Sequence, residues 1–260
     1  MEEEKREINY SNDKCWAKDL GNCSNKVTRE HIVSNSILPD FITVSGFEWC
    51  KGTPKTVGRN SLVNKFLCGV HNEALSEYDK EATKFFETIK DVTRKWKLDE
   101  RVFKEENING LKFERWLLKT FINLVLTNDT SMSSINMRKI LPVLYENATF
   151  NPPYGFGLAS RVSQIINFSP RVELRALYLT LNGVQMLSGG LFITSGLCLT
   201  LFIPSFELTE QDIEANYNSD LSDLGIQKWS ELQTDRHIKE IIFTDRVGNN
   251  LHKINLHYQN

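Results

Sequence analysis

Cys15 and Cys23, followed by the tight run Cys68-Gly69-Val70-His71, put two pairs of soft metal ligands on one chain. Such pairs constrain a fold before any core does. A structural Zn2+ needs four deprotonated Cys or neutral His groups in a tetrahedron, usually delivered as two pairs from separate turns. The later pair has the spacing of a zinc knuckle. The earlier pair is wider, with Gly21 and Asn22 between its members to make the reversal. The competing account is a set of ordinary buried thiols and a histidine at a helix start. A disulfide framework fits poorly, because the cysteines number five and the opening MEEEKRE has neither the basic start nor the apolar stretch of a secretory signal. A reducing, cytoplasmic setting is therefore expected, with thiolates free for metal.

Between the pairs lies Arg29-Glu30-His31, and Asn72 directly follows the last ligand, in the first turn of a predicted helix. A carboxylate and an amide oxygen are hard donors suited to Mg2+ or Mn2+, which keep coordination positions for water and phosphate oxygens. A neutral imidazole beside them can take a proton from an attacking water, since its ordinary pKa lies near physiological pH. Glu30 and Asn72 are thus the candidate cofactor ligands and His31 the candidate base, a set suited to phosphodiester hydrolysis. Two alternatives stay open. His31 beside Glu30 could be a surface or capping residue, and His71 could itself be the catalytic ligand, leaving Cys50 to replace it at the zinc.

The segments REHIVSNSILP and KFLCGVHNEALSEYDKEA resemble the HNH endonuclease family, whose fold is the ββα-metal or His-Me finger. The resemblance covers residues 10 to 90. It implies that Glu30 and His31 are the acidic residue and histidine of the first strand, that Asn72 is the metal-binding position after the knuckle, and that Cys15, Cys23, Cys68 and His71 hold the structural zinc. It further implies DNA as the substrate. The family's middle asparagine would fall near Val63, so Asn64, or less readily Asn60, takes its loop-bracing role. Residues 40–59 look like an insertion between the halves of the site.

From Glu73 onward, Leu75, Tyr78, Ala82, Phe85, Phe86, Ile89, Val92 and Trp96 recur at three- and four-residue steps, predicting an amphipathic helix. Asp79 and Glu81 on it are solvated charges by default, with an outer-shell metal role as the alternative. A polar break at Asn107–Gly110 precedes an apolar, buried helix containing Phe113, Trp116, Leu117, Phe121, Ile122, Leu124 and Val125. Met137–Tyr145 reads as a short helix and NPPYGFG as a linker or turn. Beyond it, Val172–Leu181 and Val184–Leu187 flank Asn182-Gly183, a type I′ hairpin signal. Leu191–Ile203, Lys239–Thr244 and His252–Tyr258 are further strands, with short helices at Glu207–Glu214 and Ile226–Leu232. There is no internal repeat.

The fold class expected is α+β. Residues 1–100 form a zinc-stapled ββα-metal nuclease domain, 101–150 a helical connector, and 151–260 a strand-rich α+β domain for recognition, regulation or oligomerisation. The chain of 260 residues is 40% hydrophobic and 25% charged, ordinary globular usage. Its longest apolar run is too short to cross a bilayer, so no membrane role is expected. The net charge of -2 excludes a polycation. Locally, Lys26, Arg29, Lys51, Lys55, Arg59 and Lys65 could clamp phosphates. The leading function is a metal-dependent endonuclease acting on DNA, of the kind used in restriction or anti-phage defence. The alternative is a catalytically silent zinc module that binds nucleic acid or a protein partner. The last part of the chain could also carry a homo-oligomer contact.

Overall fold

Short strands alternate with amphipathic or wholly apolar helices, and the computed structural model describes residues 10–98, 103–128, 132–151, 154–158, 171–194, 197–204, 240–244 and 250–258. In chain order the elements are β1 (Val27–His31), β2 (Phe41–Ser45), β3 (Lys55–Gly58), β4 (Val63–Cys68), α1 (Gly69–Ala74), α2 (Ser76–Leu98), β5 (Lys104–Asn109), α3 (Gly110–Asn128), α4 (Met137–Tyr145), β6 (Gly155–Leu158), β7 (Arg171–Leu181), β8 (Val184–Thr194), β9 (Leu197–Phe202), β10 (Glu240–Thr244) and β11 (Asn250–His257). The architecture is mixed α+β. An antiparallel β1-β4 pair, a three-stranded sheet β10-β11-β5 and a six-stranded sheet β3-β2-β7-β8-β9-β6 surround the helices.

Periodicity explains the two long helices. On α2 the stripe Tyr78, Ala82, Phe85, Phe86, Ile89 and Val92 is buried, as is Leu75 just before it. Helix α3 has no solvated face, because it lies against β4, against β5 and β11, and against β7, β8 and β9. Rings from four elements meet on it. Phe85 and Phe86 of α2, Phe113 and Trp116 of α3, Phe156 of β6 and Phe192 of β8 pack with neighbouring centroids 4.4 to 5.7 Å apart, a range in which tilted and edge contacts add to area burial. Gly190 of β8 admits this packing, since a Cβ there would sit 2.4 Å from the Phe121 ring.

Polar groups on so buried a helix need partners. The Glu114 carboxylate accepts the Phe156 N–H at 2.7 Å, and burial pushes its carboxyl up to about 7. Arg115 donates to the Ala148 carbonyl at 3.3 Å. Lys119 turns toward Glu30 of the β1-β4 pair.

The predicted β7-β8 hairpin forms with Leu181 opposite Val184 and positive φ at Asn182 (51°) and Gly183 (77°), as a type I′ turn demands. Several other expectations change. The strand expected at Leu191–Ile203 is two strands, for Thr194 pairs antiparallel with Leu197 and the apolar run conceals a reversal. NPPYGFG is not only a linker, because Gly155–Leu158 pairs with β9 as an edge strand. The polar break at Asn107–Gly110 falls at the end of β5, which pairs parallel with β11 through its backbone while most of its side chains stay in water. Residues 40–59, expected as an insertion, supply β2 and β3 to the six-stranded sheet, with β2 parallel to β7. Strand pairing therefore crosses the boundaries expected at 100 and 150. The helices expected at Glu207–Glu214 and Ile226–Leu232 lie outside the described residues. Among the described residues no helix is long and apolar enough to cross a membrane.

The β2-β7 junction depends on Gly46. Its φ is +92°, and a Cβ would lie 1.5 Å from the Leu174 carbonyl oxygen. Gly46→Ala should cost about 3 kcal/mol through backbone strain and lost pairing. A urea midpoint equal to that of the wild type would refute the close approach.

Candidate functional site

Cys15 and Cys23 reach one point because the chain between them turns through positive φ at Gly21 (70°) and Asn22 (53°). The loop is tied down by Cys23 N–H to the Tyr10 carbonyl (2.8 Å) and Trp16 N–H to the Phe66 carbonyl (3.0 Å), which holds it against β4. Cys68 ends β4 and His71 lies in α1, so the strand-to-helix junction supplies the second pair. Tyr145 of α4 donates to the His71 carbonyl (3.2 Å) and presents its ring edge-on to the imidazole.

All four ligands are buried, and their donor atoms lie within 4.8 Å of one another. His71 Nδ1 is 3.4 Å from Cys15 Sγ, 3.6 Å from Cys23 Sγ and 3.3 Å from Cys68 Sγ. A tetrahedral Zn2+ sets N···S edges of roughly 3.6 Å, so the cluster can hold a metal such as zinc. Burial pushes the Cys15 thiol up to about 12 and raises Cys23 as well. At Cys68 burial also acts upward, but the N–H groups of His71 and Ser24 outweigh it and hold the thiol below its ordinary value. Burial lowers His71, favouring the neutral imidazole that a metal needs. Thiols that resist ionising in isolation ionise when a cation compensates them. Cys50 does not belong to this group. Its thiol points to the Val44 carbonyl (3.7 Å), which removes it as a substitute ligand.

A second cluster forms on the other side of His71. Asn72 Nδ2 donates to Thr28 Oγ1 at 3.1 Å, and the Asn72 side chain is near enough to the Glu30 carboxyl to pull its pKa down a little against burial. Glu30 Oε1 is 2.6 Å from Lys119 Nζ, which is 2.7 Å from Asp79 Oδ2. Ser34 Oγ donates to Asp79 Oδ1 and accepts the Trp116 indole N–H at 2.7 Å. Burial raises the Glu30 carboxyl, and nearby Asp79 adds to this against the pull of Lys119. At Lys119 burial acts downward, yet Asp79 and Glu30 together hold the ammonium above its ordinary value, so it stays charged. The asymmetry follows from one cation shared by two anions.

His31 pairs with Val63 across the hairpin and is half-buried. Its Nε2 is buried without a hydrogen-bond partner, and burial, followed by Arg29, lowers its pKa. Asn64 stands opposite Glu30, but it is exposed and its Oδ1 accepts the Lys65 N–H (2.8 Å). Asn60 is exposed as well. Asp79, expected by default to be solvated, belongs to the cluster, whereas the Glu81 carboxylate accepts the Asn109 N–H (2.6 Å) and braces β5. Of the local cations, Arg59 pairs with Asp40 at 3.2 Å and Lys55 donates to the Trp49 carbonyl at 2.6 Å.

The residue that sequence reasoning missed is Lys119. Its signal was available, since a lysine set between Leu117-Leu118 and Phe121-Ile122 has no polar face to occupy and must meet a buried counter-charge. Glu30, Asp79 and Lys119 together carry one negative charge in excess.

Purified protein should carry about one Zn2+ per chain, and Cys68→Ser should lose both the metal and the fold around it, because structural zinc supplies folding energy. Cys50→Ser should keep both. Elemental analysis with circular dichroism reads this out, and a folded, zinc-free wild type would refute it. Comparison of the chain with protein-family models, with curated proteins and with solved structures finds no match.

Proposed function

We infer that this protein is a metal-dependent endonuclease of the HNH type that hydrolyses phosphodiester bonds in DNA. The observation that carries this reading is the bond from Asn72 of α1 to Thr28 of β1 at 3.1 Å, which brings the amide to the strand two residues before Glu30 and three before His31. Glu30 and Asn72 would hold Mg2+ or Mn2+, an ion that supplies charge stabilisation to the phosphorane and the leaving oxygen. His31 acts as general base. Its depressed pKa leaves the imidazole neutral near pH 7, and Nε2 is buried with no competing partner, so it would accept a proton from a water admitted with the substrate. Zinc at Cys15, Cys23, Cys68 and His71 fixes the turn that aims Asn72.

A basic surface supports the choice of substrate. Lys14, Lys26 and Lys65 line a cavity of about 660 Å³ together with Tyr10, Asn12, Asn25 and one carboxylate, Asp13. Among the described residues none of the three lysines is tied up in an ion pair. Lys26 adjoins the start of β1 and His31 ends it, about 16 Å along the strand at some 3.3 Å per residue. Nucleic acid held by the lysines would therefore run toward the base.

One observation favours a second reading, a zinc module that binds nucleic acid without cutting it. The Lys119 side chain is 3% exposed and that of Glu30 is 9% exposed, so the cluster is closed to a bulky phosphate as it stands.

Plasmid nicking with Mg2+ or Mn2+ separates the two. The wild type should nick, and His31→Ala should lose about 100-fold or more of the rate. An inert wild type, or a variant that cuts equally well, would leave only the binding module. Replacing Lys14, Lys26 and Lys65 together by Ala should weaken duplex binding and reduce its logarithmic salt slope by about 2 to 3. An unchanged slope in fluorescence anisotropy would remove the groove from the interface.

A further inference from the structure

We propose that Lys119 is the resident cation of the hydrolytic cluster, exchanging with the divalent ion for Glu30 while Asp79 keeps hold of it. This rests on the metal reading above and assigns Lys119 and Asp79 as positioning residues within it. The Lys119 ammonium touches Glu30 at 2.6 Å and Asp79 at 2.7 Å, which is where a small cation serving both carboxylates would sit. It cannot retreat to solvent, because α3 is buried against all three sheets and the Lys119 side chain is only 3% exposed. A divalent ion arriving at Glu30 and Asn72 would repel this ammonium. Leaving a buried ammonium unpaired is strongly unfavourable.

Asp79 resolves that conflict. Ser34 holds Asp79 Oδ1, and Trp116 in turn holds Ser34, so the carboxylate stays in place whatever happens at Glu30. Its other oxygen, Oδ2, already carries Lys119. Exchange therefore needs only a small shift of Nζ away from Glu30, with no opening of the helix. Until the ion arrives, Lys119 neutralises Glu30 and holds its carboxylate in place. The affinity for the ion is then set by the difference between the hold of Lys119 on Glu30 and its hold on Asp79.

The test is Mn2+ binding to the zinc-loaded full chain, followed by electron paramagnetic resonance of the free ion. Lys119→Met, close in volume, removes the competitor and should bind Mn2+ about 10-fold tighter than wild type, within the range of coupling between contacting charges. Asp79→Asn commits Lys119 to Glu30 and should weaken binding about 10-fold, but only while Lys119 is present. In the Lys119→Met background the same substitution should change little. Equal Mn2+ affinity in wild type and Lys119→Met overturns the exchange and leaves the nuclease reading standing. An Asp79→Asn effect of the same size in both backgrounds also overturns it, making Asp79 a plain ligand or field. Absence of Mn2+ binding in both wild type and Lys119→Met removes the metal reading and the exchange together. Should Lys119→Met fail to fold by circular dichroism, Asp79→Asn alone decides, and an unchanged affinity in that variant overturns the proposal.

Discussion

The meeting of Cys15, Cys23, Cys68 and His71 is the constraint from which the rest of the site follows. It pins a loop with little core of its own to the junction where β4 becomes α1. Two consequences come from that one junction. Cys68 fixes the end of the hairpin partner of β1, and His71 fixes the helical turn whose next residue is Asn72. The amide is therefore aimed at Glu30 by covalent neighbourhood. Its bond to Thr28 Oγ1, itself donating to the Leu67 carbonyl, locks the same geometry from the strand side.

Helix α3 is the second organiser, and it works by burial. It carries Phe113, Trp116 and Phe121 into the aromatic packing, while Lys119 and Asn123 reach the hairpin from the same helix. Asn123 donates to the His31 carbonyl at 3.5 Å, so the backbone of the candidate base and the carboxylate beside it are both contacted from α3. Changes in core packing are thus felt at the chemistry.

What could be read in the sequence divides along physical lines. The zinc ligands were legible because Cys and His are scarce and their spacing is local. Asn72 was legible because it follows one of them. The helices were legible from periodicity, and the β7-β8 turn from Asn182-Gly183, whose backbone needs are specific. Strand β5 and the parallel pairing of β2 with β7 were not, because they are backbone contacts between distant segments and leave no period in the side chains. Lys119 was hidden for a related reason. An apolar helix is recognised by what repeats, and Lys119 stands outside that repeat.

The chain of contacts Glu30–Lys119–Asp79–Ser34–Trp116 is difficult to explain by stability alone. Burying Glu30 and Lys119 with a half-buried Asp79 costs desolvation that their mutual attraction often fails to offset, and well-packed apolar residues of similar volume usually do as well or better. Apolar residues are close at hand, since Leu117 and Leu118 precede Lys119 and Phe121 and Ile122 follow Thr120, and the Cys15, Cys23, Cys68 and His71 cluster already gathers the end of β4. One carboxylate and one ammonium would also suffice for a neutral core, whereas here a second carboxylate leaves the group net negative and a hydroxyl holds that carboxylate in place. That excess of negative charge is what the proposed uptake of a further cation would draw on.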